Sequence, residues 1–334
     1  MTLNKILSLF TLSIMLLSCQ KELIIDANAL PPKIVVDGTI ETGQFPQVIL
    51  RNSGFLYDTI NIEETYIHNA VVEISDGTNS TLLSEKCFRV YNKLDSLLEN
   101  NDTLSQAELT ILLVSLSLEE MDSIYEHYYH VKPKELQESQ ILCIYAIPSN
   151  LMFRGEEGKT YTLKVTDGDN IVTASTTIPK QFVVDSLSYK VNPETADFAE
   201  VFIHLTFPVN NVLGNYIQYG SRVSGYPDYY GMRTGSVYSD SRFEGSSSLK
   251  LPLEGRKHTD EGIPSSAERQ FRIGDTVTLI WKNIDKATYE FIFTSENDGG
   301  SSPFSSPTKI ISNIEGGLGT WAGYNVSTES IYIP

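Results

Sequence analysis

The sequence predicts an all-β chain built as two antiparallel β-sandwich (Ig-like) domains, with a small helical insertion in the first. Three observations carry that expectation. Apolar residues recur at every second position, as in Thr160 to Thr166, where Tyr161, Leu163 and Val165 alternate with Thr and Lys; this is the period of a strand with one buried face. Glycine turns close such runs, Asp76-Gly77 and Asp167-Gly168 among them, because glycine takes positive φ without strain and so permits a tight hairpin. No strand-helix-strand rhythm occurs, which removes the parallel nucleotide-binding sheets from consideration.

Taken from the amino terminus, residues 1–18 read as a signal peptide of the lipoprotein type. Lys5 precedes an apolar run of twelve residues from Ile6 to Leu17, and the run closes in Leu16-Leu17-Ser18-Cys19. A bilayer core of about 30 Å needs roughly 20 helical residues, so this run is too short to remain as a membrane span. The mature chain is expected to begin at an acylated Cys19, with residues 19–31 as a tether. Removing 18 of the 334 residues leaves 316, more than one hydrophobic core usually organises, hence two domains.

The first domain is placed at 32–180. Its strands are Lys33 to Gly38, Gln47 to Arg51, Ala70 to Ser75, the apolar runs around Cys87 and Cys143, and Thr160 to Thr166 returning through Ile171 to Ile178. Between the two cysteine runs, over about 92–138, the period becomes helical. Leu94, Leu97 and Leu98 share a face, Ser105 with Glu108 and Ser117 with Glu120 form capping boxes, and Met121, Ile124, Tyr125 and Tyr128 line a further face. Such an excursion costs little, because loop-closure entropy grows only logarithmically with length. Ile178-Pro179-Lys180 marks the boundary to the second domain at 181–334. Its expected strands are Val183 to Val191, Glu200 to Phe207, Leu213 to Val223, Thr276 to Trp281 and Tyr289 to Thr294. Tyr226 to Ser248, Pro252 to Arg269, Asn297 to Pro307 and the tail from Ile314 read as long loops.

Charge narrows the function classes. The mature chain carries 24 basic against 42 acidic residues, a net charge of −18, which repels nucleic-acid backbones and anionic lipid headgroups. Beyond Cys19 two cysteines remain, Cys87 and Cys143. Two readings are open for them, a disulfide or two separate buried thiols; a bridge closing a loop of this length stabilises by roughly 4 kcal/mol in the chain-entropy treatment.

The motifs for chemistry are sparse. His127 and His130 have a spacing that can place two imidazoles on one metal, but a third ligand is not evident and Tyr125, Tyr128 and Tyr129 argue for a packed helix face. Residues Glu99 to Glu108 echo a calcium loop only at its end, where Ser105 and Glu108 serve better as a helix cap. The G-x-S-x-G and H-E-x-x-H patterns are absent, and neither His204 nor His258 has a nucleophile marked by spacing. Gly316-Gly317-Leu318-Gly319 lacks the strand-to-helix context of a phosphate cradle and reads as a turn. No catalytic residue, metal site or cofactor is therefore expected. Tyr226, Tyr229 and Tyr230, set among Pro227 and Gly231, are the candidate ligand-binding residues, since flat amphipathic rings on a turn can stack on a sugar or peptide. A purely structural role for these rings stands beside that reading.

Several stretches, in order, resemble a known pattern. They are the Cys19 signal, Pro32-Lys33-Ile34-Val35-Val36-Asp37-Gly38, Gly158 to Val165, Thr176-Thr177-Ile178-Pro179 and Val184-Asp185-Ser186-Leu187 in the first half. Ser239 to Gly245, Gly274-Asp275-Thr276-Val277, Tyr289, Asn297 to Pro307 and Ser312 to Gly319 follow in the second. Together they are similar to the DUF4249 family of Bacteroidota lipoproteins. The family has no assigned enzymatic activity, so the resemblance carries over no catalytic residue. It implies instead an outer-membrane lipoprotein, held by the lipid on Cys19, that accompanies a TonB-dependent receptor β-barrel in nutrient uptake. Gln20-Lys21-Glu22 is similar to the short charged signals that send such lipoproteins to the cell surface. The expected function is a non-catalytic binding or accessory module for a small-molecule, glycan or peptide ligand. A structural or adhesive surface protein is the alternative, and a hydrolase built on dispersed carboxylates the more distant one.

Overall fold

The computed structural model describes residues 31–54, 62–91, 139–148, 152–182, 184–206, 214–231, 235–243, 248–258, 262–297 and 309–334. The proposed signal peptide, Cys19, and the helical insertion at 92–138 with His127 and His130 lie outside them.

Strands dominate, as the alternation requires. In chain order they are β1 (Ile34–Glu41), β2 (Gln47–Asn52), β3 (Val71–Ser75), β4 (Ser80–Tyr91), β5 (Ser139–Ala146), β6 (Thr160–Asp167), β7 (Asn170–Thr177), β8 (Ser186–Val191), β9 (Phe198–Thr206), β10 (Tyr216–Val223), β11 (Tyr226–Gly231), β12 (Val237–Ser239), β13 (Ser248–Leu253), β14 (Phe271–Arg272), β15 (Thr276–Ile284), β16 (Ile314–Glu315) and β17 (Leu318–Tyr332), with helix α1 (Lys286–Glu296) between β15 and β16. One mixed sheet follows the order β11-β10-β15-β17-β1-β2-β5-β4-β3-β6-β7-β16, with β12 also paired to β10. A smaller sheet carries β13, β9, β14 and β8. Among the described residues no helix is long and apolar enough to cross a membrane.

Alternation places the cores. Ile34, Val36 and Ile40 of β1, Val48 and Leu50 of β2, Val72 and Ile74 of β3, and Tyr161, Leu163 and Val165 of β6 gather into a first core around Trp321. Ala199, Val201, Ile203 and Leu205 of β9 meet Ile217 and Tyr219 of β10 and Val277, Leu279 and Trp281 of β15 in a second. Strand β17 serves both: Trp321 near its start is fully buried in the first core, whereas Ile331 near its end packs against the second. The Asp76-Gly77 hairpin forms as expected, with Gly77 at φ +85° and the Asp76 carboxylate accepting from Thr78 and Asn79 N–H.

Four expectations are corrected. Tyr289 to Thr294 is helical, not extended, because Asp285 caps the segment by accepting from Thr288 N–H at 2.8 Å and Tyr289 stacks on Phe293 one turn on; the local cap outweighs the strand preference of aromatic residues. The supposed loop Tyr226 to Ser248 contains β11 and β12, and the supposed tail from Ile314 contains β17, a strand of 15 residues. Its small and polar residues hid a strand whose neighbours lie far away in sequence. Finally, the sheet is not purely antiparallel. β1 and β17 run parallel from Val35↔Leu318 to Glu41↔Tyr324, which is possible because nearly the whole chain forms the connection between them.

Candidate functional site

The two cores adjoin where β7, β10, β15 and β17 come together, and a cleft of about 240 Å³ opens there. It is lined by Thr177, Pro179, Gly214, Asn215, Tyr216, Asn283, Ile284, Asp285 and Lys286. Each wall is held by a polar contact to a distant part of the chain. Asp240, buried at the start of a 3-10 turn, accepts from Gly214 N–H at 2.9 Å and from the Asn215 side chain at 2.7 Å, fixing the entry to β10. The Asp285 carboxylate caps α1 through one oxygen and accepts from Thr176 Oγ1 at 2.6 Å through the other. Thr176 Oγ1 in turn accepts from Gly323 N–H at 2.7 Å, tying the first core to β17. Asn283 Oδ1 accepts from Phe182 N–H. An aromatic file, Tyr216 on Tyr289 on Phe293, backs the α1 side, with ring centroids 4.9 and 5.6 Å apart.

Beside this junction three titratable groups are packed between the strands. Burial pushes the Glu41 carboxyl above its ordinary 4.5, against the pull of Lys282, and pulls the Lys282 ammonium below 10.5, with Glu41 opposing. Tyr324, opposite Glu41 in the β1–β17 register, has its phenol pushed up to about 12, by burial first and the Glu41 charge second. The Lys282 ammonium lies 5.3 Å from the Tyr324 ring centroid. Desolvation is the leading cause in each case, and the three groups sit on β1, β15 and β17, which pair side by side.

A second constellation sits at the end of the first core. Cys87 on β4 and Cys143 on β5 are direct partners in the antiparallel ladder and are joined as a disulfide. Residues two apart on a strand share a face, so Glu85 lies beside Cys87, and the Cys87 sulfur is 3.6 Å from Glu85 Oε1. His68 Nδ1 contacts the same carboxylate oxygen. Among the described residues, these four side chains bring their ligand atoms within 4.8 Å of one another.

The candidate tyrosines lie in a strand, not in the turn expected of them. Tyr226, Tyr229 and Tyr230 belong to β11, whose backbone pairs with β10 through Ser221↔Tyr230 and Val223↔Tyr226. Their partner strand β10 enters the cleft at Tyr216. His204, read as having no nucleophile at a marked spacing, has Ser188 Oγ 2.6 Å from its Nε2 across the β8–β9 ladder. That pair lies on a sheet face, since β9 turns Ile203 and Leu205 into the core on either side of His204.

Motifs remote in sequence therefore converge. Thr176 to Pro179, Asp240 and Tyr289 all meet at or behind the cleft. A family model described as Domain of unknown function (DUF4249) matches residues 20–330. The chain belongs to the DUF4249 family. No curated protein matches it. In this DUF4249 chain the sequence reading missed Asn215, Asp285 and Lys286, for which no spacing signal existed, and it missed Glu85. The last was legible: Glu85-Lys86-Cys87 in a strand puts acid and thiol on one face.

Proposed function

We propose that this DUF4249 chain is an exported, lipid-anchored and non-catalytic binding module, attached to the outer membrane through Cys19 and serving as accessory to a TonB-dependent receptor in the uptake of a small polar ligand. The observation that carries the reading is the cleft between the cores. Its polar lining, from Thr177, Asn215, Tyr216, Asn283 and Lys286, can orient a hydroxylated or amide-bearing molecule, and its volume of about 240 Å³ suits a single sugar ring or a short peptide end. Among the described residues of that lining, the Asp285 carboxylate is engaged by Thr288 and Thr176. Two cores support a pair of sandwich-like halves drawn mostly from 32–180 and 181–334, with Ile314 and Trp321 of the second half joining the first core, and β11 offers a strand edge to a partner. Export rests on residues 1–19, whose basic residue, short apolar run and terminal cysteine fit acylation.

The test is recovery of the native protein from its own membrane in detergent. Expected are an acylated amino terminus at Cys19 by mass spectrometry and a co-purifying β-barrel receptor. Substituting Tyr216→Ala with Lys286→Ala, or deleting 226–231, is expected to reduce ligand uptake while anchoring persists. An unmodified amino terminus refutes the anchor. Repeated recovery without a barrel partner, or uptake indifferent to both changes, refutes the accessory role and favours a structural or adhesive protein.

A further inference from the structure

We propose that Cys87, Cys143, His68 and Glu85 form a redox-gated site for a single zinc-type cation, closed while the disulfide holds and opened by reduction. This assignment is independent of the cleft and its ligand. Two thiolates, one imidazole and one carboxylate are a donor set suited to tetrahedral Zn²⁺, with soft sulfur ligands selecting against calcium and magnesium. Four side chains from three segments supply it, and the fold holds each of them. Cys87 and Cys143 face one another across the ladder, and Cys143 is buried. Glu85 shares the Cys87 face of β4, one step beyond Leu83, which enters the first core.

The placement of His68 is the telling detail. It precedes β3, in a segment that Tyr145 fastens to β5: the Tyr145 hydroxyl donates to Ile67 C=O at 2.8 Å and accepts from Ala70 N–H at 3.0 Å. Asn69 then adopts φ +61°, left-handed for a residue other than glycine, and its N–H donates to Glu85 Oε2 at 2.8 Å. That bond orients the carboxylate so that Oε1 faces His68 Nδ1 and the Cys87 sulfur. Such oriented outer contacts are what a metal-binding carboxylate requires. His68 is 49 % exposed, which provides an entry path from solvent.

Reduction adds two electrons and two protons to the Cys87–Cys143 bond, giving two thiols; a dithiol reductant supplies both and becomes a disulfide. Binding of Zn²⁺ then releases the two thiol protons and leaves two thiolates, a neutral imidazole and a carboxylate on the metal. Oxidation reverses the order and expels the cation, because forming the sulfur–sulfur bond removes two electrons and the charge of both thiolates, leaving neutral sulfurs that are poor ligands.

The experiment uses the full chain carrying Cys19→Ser, so that the only thiols are those of the site. The protein is reduced with a phosphine, which is converted to its oxide and does not compete as a thiol, and is then titrated with Zn²⁺ alone. Expected are one Zn²⁺ per chain in the reduced form, protection of both cysteines from alkylation, and no stoichiometric binding in the oxidised form. Cobalt in place of zinc is expected to give thiolate charge-transfer absorption. His68→Ala and Glu85→Gln are each expected to weaken binding about tenfold or more. Alkylating the reduced chain before adding zinc removes the sulfurs without depending on a cysteine variant that has to fold. Equal binding before and after reduction, binding that survives alkylation, or affinity unchanged in the His68→Ala, Glu85→Gln double variant overturns the assignment. So does a reduced chain that takes up no zinc.

Discussion

Replacing Gly319 by alanine tests whether β17 holds the two cores together. Gly319 sits at φ +96° opposite Val36 in the parallel β1–β17 pair, and a Cβ there would lie 1.9 Å from the Val36 carbonyl oxygen and 2.8 Å from its carbon. Gly158 has a comparable φ of +77° but nothing within 4 Å of such a Cβ. Left-handed backbone costs an alanine about 1–2 kcal/mol in either place. At Gly319 the strands must also part by about 1 Å before the contact becomes tolerable, which breaks about two flanking ladder bonds at roughly 1 kcal/mol each. Trp321, two residues along β17, loses part of its packing as well. Gly319→Ala is therefore expected to cost about 4 kcal/mol, a large share of the 5–15 kcal/mol typical of folded domains, and Gly158→Ala about 1–2 kcal/mol. The assay is urea unfolding followed by tryptophan fluorescence. The chain has two tryptophans, Trp321 in the first core and Trp281 in the second, so a Trp281→Phe background isolates the first core and Trp321→Phe the second. Gly319→Ala is expected to lower both transitions together. Equal losses for the two glycine variants, or a second core that keeps its midpoint, refute the reasoning.

Tyr145→Phe leaves Ala70 N–H and Ile67 C=O without their shared hydroxyl and is expected to cost about 1–3 kcal/mol in thermal unfolding; it also releases His68, so zinc uptake by the reduced chain should fall. Asp285→Ala removes the cap of α1 and the acceptor of Thr176, for an expected loss of about 2 kcal/mol, most of which Asp285→Asn should restore. Because burial raises the Glu41 carboxyl above 4.5, the folded chain keeps that proton to a higher pH than the unfolded chain does. Its contribution to stability is complete below 4.5 and is lost as pH rises through the raised value. The stability difference between the wild type and Glu41→Gln should therefore decline with pH across that window in denaturant titrations, and a constant difference counts against the buried carboxyl. Substituting Asp240→Ala frees Gly214 and Asn215 and is expected to raise amide exchange at the start of β10 before the rest of the sheet.

Alternation made most strands legible. β1, β2, β3, β6 and β7 lie within a few residues of the runs read from the sequence, because each turns one clean apolar face to the first core. The readings that failed did so where a local signal ran against a distant partner. β17 contains Gly319, Gly323, Asn325, Ser327, Thr328 and Ser330, a composition that reads as loop until Val36 and Trp281 are known to lie beside it. The Tyr289 segment failed in the opposite direction, since its aromatic residues suit a strand but Asp285 commits them to a helix.

The amino-acid pattern by itself determined what depends on near neighbours: the two-residue period, the glycine turns, the acidic balance, the short apolar run before Cys19, and the family resemblance carried by motifs in order. Which strands meet was decided only in three dimensions. Nothing near Gly319 in the chain announces Val36 and nothing near Cys87 announces His68, while the cysteine count left the pairing with Cys143 as one of two open readings, because such contacts depend on the packing of one whole sheet against its cores. The physical reason is one of range: side-chain alternation is set by backbone geometry within a few residues, whereas the cleft, the shared strand β17 and the sulfur-imidazole-carboxylate cluster arise from pairings across roughly 20 to 280 residues of chain.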